Sequence, residues 1–152
     1  MIKLKVNGKE YTLKFGYRVL AKTAVLKDVV SLRNKFSVSE EDQEQAITDN
    51  IDELIKTNSN LVLAGLQKFH EEFKVDYDDE TSVKDGLEKV YDLMDDYMDD
   101  PESVAVIDLF GEMVEDLVEN GFLSKMSPKM EEVATELDAT VIPMDHQTAT
   151  KK

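Results

Sequence analysis

The chain has 152 residues, 41% of them hydrophobic and 34% charged, with a formal net charge of −15 and no cysteine. That length and composition predict one domain with a real core and a highly charged surface. The absence of cysteine excludes disulfide scaffolds, zinc–thiolate and iron–sulfur sites and thiol catalysis, and it suits a reducing compartment.

In chain order, the first 15 residues read as a β-hairpin. Ile2, Leu4 and Val6 alternate with polar neighbours, as do Tyr11, Leu13 and Phe15. Asn7-Gly8 between them suits a type I′ turn, which needs two residues at positive φ. A two-residue turn pairs Val6 with Lys9, Leu4 with Tyr11 and Ile2 with Leu13, so turn and alternation agree on the register. The alternating lysines leave no continuous apolar stretch for a signal peptide, and no apolar run reaches the roughly 20 residues needed to span a bilayer.

Gly16 ends the strand, and Tyr17 to about Lys35 reads as one helix with Leu20, Ala24, Val25, Val29 and Leu32 on its apolar side. Ser39 with Asp42 forms a capping box for a second helix bearing Ile47, Ile51, Leu54 and Ile55. Asn58-Ser59 reads as punctuation before a third helix with Val62, Leu66, Phe69 and Phe73 at steps of four, three and four. After an acidic connector, Asp76 to Glu80, Ser82 with Asp85 offers a cap for a fourth helix carrying Val83, Leu87, Val90, Tyr91, Met94, Tyr97 and Met98. Asp100-Pro101 stops that helix and starts a fifth, because proline fits a first helical turn. The fifth carries Val106, Ile107, Phe110, Met113, Val114, Leu117 and Val118 and ends at Asn120-Gly121-Phe122, a C-cap pattern. Ser127-Pro128 opens a short helical stretch through Leu137, and Asp138 to Lys152 has no period. The expected fold is mainly α: an N-terminal hairpin, a bundle of about five helices over residues 1–123, and a weakly structured or flexible tail over 124–152.

Little of this carries catalytic chemistry. Acids cluster at Asp76, Asp78, Asp79 and Glu80 and at Asp95, Asp96, Asp99 and Asp100. A calcium loop starting at Asp76 would need glycine where Thr81 stands and a bidentate acid where Leu87 stands, so the clusters read as solvated faces. His70 and His146 lack partners at metal-ligand spacing, and His70 reads as a surface residue. There is no nucleophile elbow, phosphate loop or dinucleotide fingerprint. The sequence therefore predicts no catalytic, cofactor-binding or metal-binding residue.

Charge is divided along the chain. Met1 to Val38 holds nine Lys/Arg against two acids, or +7, while Ser39 to Lys152 holds nine bases against 31 acids, or −22. A nucleic-acid-binding domain would carry its basic balance over the whole fold, so no nucleic-acid partner is expected. The basic segment has two readings. In one, it neutralises the acidic helices of its own subunit. In the other, Lys3, Lys5, Lys9, Tyr11, Lys14, Phe15 and Arg18 meet Asp95, Asp96, Asp99 and Asp100 of the next subunit, a head-to-tail contact that propagates. Tyr91, Met94, Tyr97, Met98 and Met113 also have two readings, as core filling or as an adaptable groove for apolar helices.

The opening, from Ile2-Lys-Leu-Lys-Val-Asn-Gly through Tyr11-Thr-Leu-Lys-Phe-Gly16, resembles the start of tail assembly chaperones from long-tailed phages of Gram-positive bacteria. Those proteins begin with a short hairpin closed by Asn-Gly or Asp-Gly, then Tyr-x-Leu-x-Phe-Gly and a helix. The resemblance covers about the first 20 residues and is general beyond them. It implies a non-enzymatic protein of the host cytoplasm, absent from the mature virion, that coats and solubilises the tape measure protein as a spiral homo-oligomer. It also implies displacement by tail tube protein, which a frameshifted longer form would recruit. The contrasting expectation is an acidic adaptor or inhibitor of a basic nucleic-acid-binding protein.

Overall fold

A computed structural model describes residues 1–119, so the predicted C-cap at Asn120 to Phe122 and everything after it lie outside the described residues. Strands β1 (Ile2–Val6) and β2 (Lys9–Leu13) pair antiparallel in the expected register, with Ile2 opposite Leu13, Leu4 opposite Tyr11 and Val6 opposite Lys9. Asn7 and Gly8 take φ of 50° and 81°, as a type I′ turn requires. Leu4, Val6 and Leu13 are buried on one face, while Lys3 and Glu10 pair at 3.5 Å on the other.

Six α-helices follow among the described residues: α1 (Tyr17–Thr23), α2 (Val25–Phe36), α3 (Glu40–Asp49), α4 (Ile51–Leu66), α5 (Glu80–Asp99) and α6 (Val106–Glu119). The expected mainly helical fold with an N-terminal hairpin is therefore present, with several boundaries displaced. The single helix predicted over Tyr17–Lys35 is broken at Ala24, which adopts a left-handed conformation at φ 56°. Leu20 and Val25 are five residues apart and would face different sides of a continuous helix. The break re-phases the chain so that both are buried. At α3, the Ser39 hydroxyl bonds the Asp42 carboxylate at 3.0 Å rather than a backbone amide, and the helix buries no residue.

Helix α4 is the centre of the fold and packs against α1, α2, α3, α5, α6 and β2. Asn58-Ser59, expected to separate two helices, sits inside it. A helix surrounded on all sides needs apolar contact all round, and the run Leu61 to Leu66 supplies it. The Ser59 hydroxyl is satisfied by donating to the Ile55 carbonyl at 2.8 Å.

Helix α4 ends at Leu66, short of the predicted Phe69 and Phe73, because Gln67 turns the chain. Its buried amide donates to the carbonyls of Leu63 (3.0 Å) and Phe73 (2.8 Å) and accepts the Val75 N–H at 3.0 Å. Phe73 is thereby buried in a 3-10 turn, Glu71–Phe73, while Phe69 is left exposed.

The hairpin docks on the end of α4 by its β2 edge. With Val6–Lys9 flanking the turn, the amides of Thr12 and Lys14 point away from β1. Lys14 N–H donates to the Gly65 carbonyl at 2.9 Å, and Thr12 N–H donates to His70 Nε2, also at 2.9 Å. His70, expected to be a surface residue, is half-buried against the Tyr11 ring and holds the hairpin in place. A Cβ on Gly65 would lie 2.9 Å from Leu13 Cβ, so only glycine permits this approach.

Helix α5 is capped by Asp79, whose carboxylate accepts the Thr81 N–H at 3.0 Å, rather than by Ser82. Ser82 lies inside the first turn, and its hydroxyl accepts the Asp76 N–H. The chain stops at Asp100-Pro101 as expected, but α6 begins only at Val106. Asp100 holds the intervening turn, its side chain accepting the Glu102 N–H and its carbonyl accepting that of Ser103. Among the described residues, no helix is long and apolar enough to cross a membrane.

Candidate functional site

On α5, apolar residues fall into two adjacent stripes. Val90, Leu93 and Tyr97 point inward and are buried, with the Tyr97 hydroxyl accepting the Val104 N–H at 3.1 Å. Tyr91, Met94 and Met98 lie one position further round, at spacings of three and four; Tyr91 and Met98 are exposed, and Met94 is half-buried against the core. Opposite them on α4 stand Ile55, Asn58 and Ser59, also at spacings of three and one, and Val106 closes one end. Together with Asp95 these residues line a groove of about 230 Å³. That is below the roughly 300–1,000 Å³ of small-molecule pockets, but it can take a large side chain from a docked segment.

Three of the walls are unusually open for apolar side chains: Met98 is 58% exposed, Ile55 50% and Tyr91 42%. They form an apolar patch beside the acids Asp92, Asp95, Asp96 and Asp99, all exposed on α5. At the floor the pattern reverses. Asn58 is only 2% exposed, and its Oδ1 is buried with no hydrogen-bond partner.

Of the five residues read as a possible groove, Tyr91, Met94 and Met98 line it. Tyr97 and Met113 belong to the core, Met113 being fully buried on α6. Ile55, Asn58 and Val106 were not anticipated. They come from α4 and α6, and only the packing of these helices with α5 brings them in. A faint signal existed at Ile51 and Ile55, which add to the apolar side of their predicted helix more residues than its one buried position, Leu54, can use.

Of the candidate self-association residues, the basic strand β1 and the acidic helix α5 touch within one subunit. The Asn7 N–H lies 3.4 Å from Asp100 Oδ2, and β1 packs against α5. Lys9 pairs with Glu72 at 3.2 Å, Lys22 with Asp78 at 2.6 Å and Lys35 with Glu53 at 2.7 Å. The Lys9 hydrogen bond raises its own pKa, and the bond from Lys22 lowers that of Asp78. These are exposed pairs whose stabilisation is small. They favour the reading in which the basic segment rests on its own acidic body. Tyr11 and Phe15 are half-buried and pack against the core rather than presenting a free surface. Among the described residues, no ion pair involves Lys5, Lys14, Arg18, Asp95, Asp96 or Asp99 within 4.0 Å.

Two further clefts are more polar. One runs along β1, lined by Lys3, Lys5, Glu10, Tyr97, Glu102 and Glu112 among others. The other is lined by Lys22, Asn60, Tyr77, Glu80, Lys84 and neighbours. In the second, the Tyr77 hydroxyl is buried without a partner, and burial pushes its pKa up to about 12. The folded value lies above the ordinary 10.0. The contribution of Tyr77 to stability is therefore intact below about pH 10 and is lost as pH rises through about 12. An ultraviolet titration should show one phenol ionising near pH 12 that disappears in Tyr77→Phe; the same phenol ionising near pH 10 would contradict the burial.

Among the described residues, no group of three or more His, Asp and Glu side chains is arranged to hold a metal ion. No family model, curated protein or solved structure matches the chain.

Proposed function

We propose that this protein is a tail assembly chaperone of a long-tailed bacteriophage, holding apolar helical stretches of the tape measure protein until the tail tube forms. The observation that carries this reading is the apolar groove between α4 and α5 beside the exposed acids of α5. A protein that only needed to stay dissolved would cover Ile55, Tyr91 and Met98, since exposed apolar groups that cluster mark interaction sites. Two methionines in the wall let the groove repack around differing side chains. The opening hairpin, whose residues carry the resemblance to such chaperones, is fixed to the end of α4 at Gly65 and to His70.

In this reading many copies coat one tape measure chain in the host cytoplasm. Lys5, Lys14 and Arg18 on one side and Asp95, Asp96 and Asp99 on the other are the charges left for contacts between copies. Tail tube protein, brought in by a longer form of the chaperone, displaces them, and the finished particle lacks the chain. Such coats must be loose, and screened surface charges with a shallow groove make loose contacts.

Co-expression with a candidate tape measure protein, followed by affinity capture and light scattering, tests the proposal. The expected result is a soluble complex containing several copies of this chain per partner. A precipitated partner beside a monomeric chain would overturn it and favour an acidic adaptor for a basic nucleic-acid-binding protein.

A further inference from the structure

The hairpin leaves one of its two edges open. With Val6 and Lys9 flanking the turn, Ile2, Leu4 and Val6 bond to β2, so the N–H and C=O groups of Lys3 and Lys5 point the other way. The amide of Asn7 points the same way and reaches Asp100 Oδ2 at 3.4 Å. Among the described residues, the backbone groups of Lys3 and Lys5 on this edge have no hydrogen-bond partner. They border the cleft of about 340 Å³ along β1, whose other wall includes Glu102, Val104, Leu109 and Glu112. Val104 is 41% exposed there, an apolar side chain left partly in water.

An edge of this kind accepts an extended segment, not a helix, whose own backbone groups are already bonded. Lysine at positions 3 and 5 limits the choice further. A second copy's β1 added antiparallel would set Lys3 against Lys5, and like charges directly opposite are destabilising. The chain's own continuation has better chemistry. Residues 137–141, Leu-Asp-Ala-Thr-Val, lie outside the described residues and alternate apolar and polar over five positions, the length and pattern of β1. The run is too short to give the tail a period, and Pro143 closes it. Helix α6 delivers the chain to the right place: the Met1 amino group bridges Asp116 at 2.9 Å, so the helix ends at Glu119 beside the start of β1. Residues 120–136 span up to roughly 55 Å when extended, several times the length of β1, about 17 Å.

From these observations we infer that residues 137–141 add to β1 as a third, antiparallel strand within the same subunit. Lys3 is already paired with Glu10 at 3.5 Å, while Lys5 has no ion pair among the described residues. Asp138 therefore stands opposite Lys5. That register sets Ala139 against Leu4, Thr140 against Lys3, and Leu137 and Val141 against Val6 and Ile2. Leu137, Ala139 and Val141 face the apolar floor of the cleft and cover Val104. The amides of Asp138 and Thr140 donate to the carbonyls of Lys5 and Lys3, whose own amides are bonded in return. The tail thus occupies an edge that otherwise invites pairing with a foreign strand.

The test is amide hydrogen exchange, followed by NMR, on the full chain and on a variant carrying both Asp138→Pro and Thr140→Pro. The two prolines remove both donors without touching residues 1–119. In the parent, Lys3 and Lys5 should exchange roughly 100-fold more slowly than free amides, as in a segment that opens only locally, at a rate independent of protein concentration. In the double proline variant they should exchange nearly as free amides, while Thr12 and Lys14 stay protected by His70 and Gly65. Fast exchange of Lys3 and Lys5 in the parent overturns the inference, and so does slow exchange that survives both prolines. Protection that grows with protein concentration also overturns it, because the strand then comes from another copy. None of these readouts involves a tape measure partner or the groove between α4 and α5, so the proposed function stands or falls separately.

Discussion

Gly65→Ala should destabilise the protein by about 2 kcal/mol, even though alanine is the better helix former by about 1 kcal/mol. The added Cβ would meet Leu13 Cβ at 2.9 Å and Phe15 Cε1 at 3.2 Å. Leu13 is fully buried and its backbone belongs to β2, so it has nowhere to go. The hairpin would have to lift from α4. That motion stretches the bond from Lys14 N–H to the Gly65 carbonyl and the bond from Thr12 N–H to His70 together. Gly111 is the internal control. It lies in α6 with nothing within 4 Å of an added Cβ, so Gly111→Ala should stabilise by up to about 1 kcal/mol. Urea denaturation of the two variants reads the contrast directly. If both substitutions shift the midpoint in the same direction, the close approach of β2 to α4 is not what limits position 65.

The second large effect concerns binding rather than folding. Ile55→Asp combined with Met98→Asp should leave the denaturation midpoint nearly unchanged, because both side chains are about half exposed in the free protein. Capture of the tape measure partner should weaken by about 100-fold. Burying each apolar side chain in an interface contributes about 1.5 kcal/mol or more, and two of them account for that factor. Met113→Ala supplies the opposite pattern. It removes a fully buried side chain on α6 and should cost about 2–4 kcal/mol of stability, with affinity of the remaining folded protein retained. A double aspartate variant that still binds its partner at parental affinity would move the site away from the groove.

How far the sequence could be read differs from element to element. The hairpin was fully legible because two independent signals, the Asn7-Gly8 turn and the alternation on either side, demand one register. Helix boundaries were legible only where local chemistry set them, as at Asp100-Pro101. They were misread where tertiary contacts decided. Asn58-Ser59 looks like a surface break, yet α4 is enclosed by its neighbours and carries both residues into the interior. The stop after Leu66 is made by Gln67 bonding to Phe73 and Val75, and a glutamine gives no hint of such contacts in sequence. The groove was half legible for the same reason. Tyr91, Met94 and Met98 repeat at helical spacing, but whether they or Tyr97 face outward depends on which side of α5 meets α4. Ile55, Asn58 and Val106 join them only through the packing of three helices.

The docking of the hairpin also fixes an order of events during synthesis. The bond from Thr12 to His70 spans 58 residues, and the contact from Asn7 to Asp100 spans 93. The strands leave the ribosome first, and at about 5–20 residues per second their cover arrives several seconds later. For that interval Leu4, Val6 and Leu13 stand uncovered on a two-stranded ribbon too small to be stable alone. Lys3, Lys5, Lys9 and Lys14 are interspersed among them, the arrangement that keeps exposed strands from pairing with those of neighbouring chains. The basic character of this segment therefore protects the nascent chain on the polysome, before any of its ion pairs to the later helices can exist.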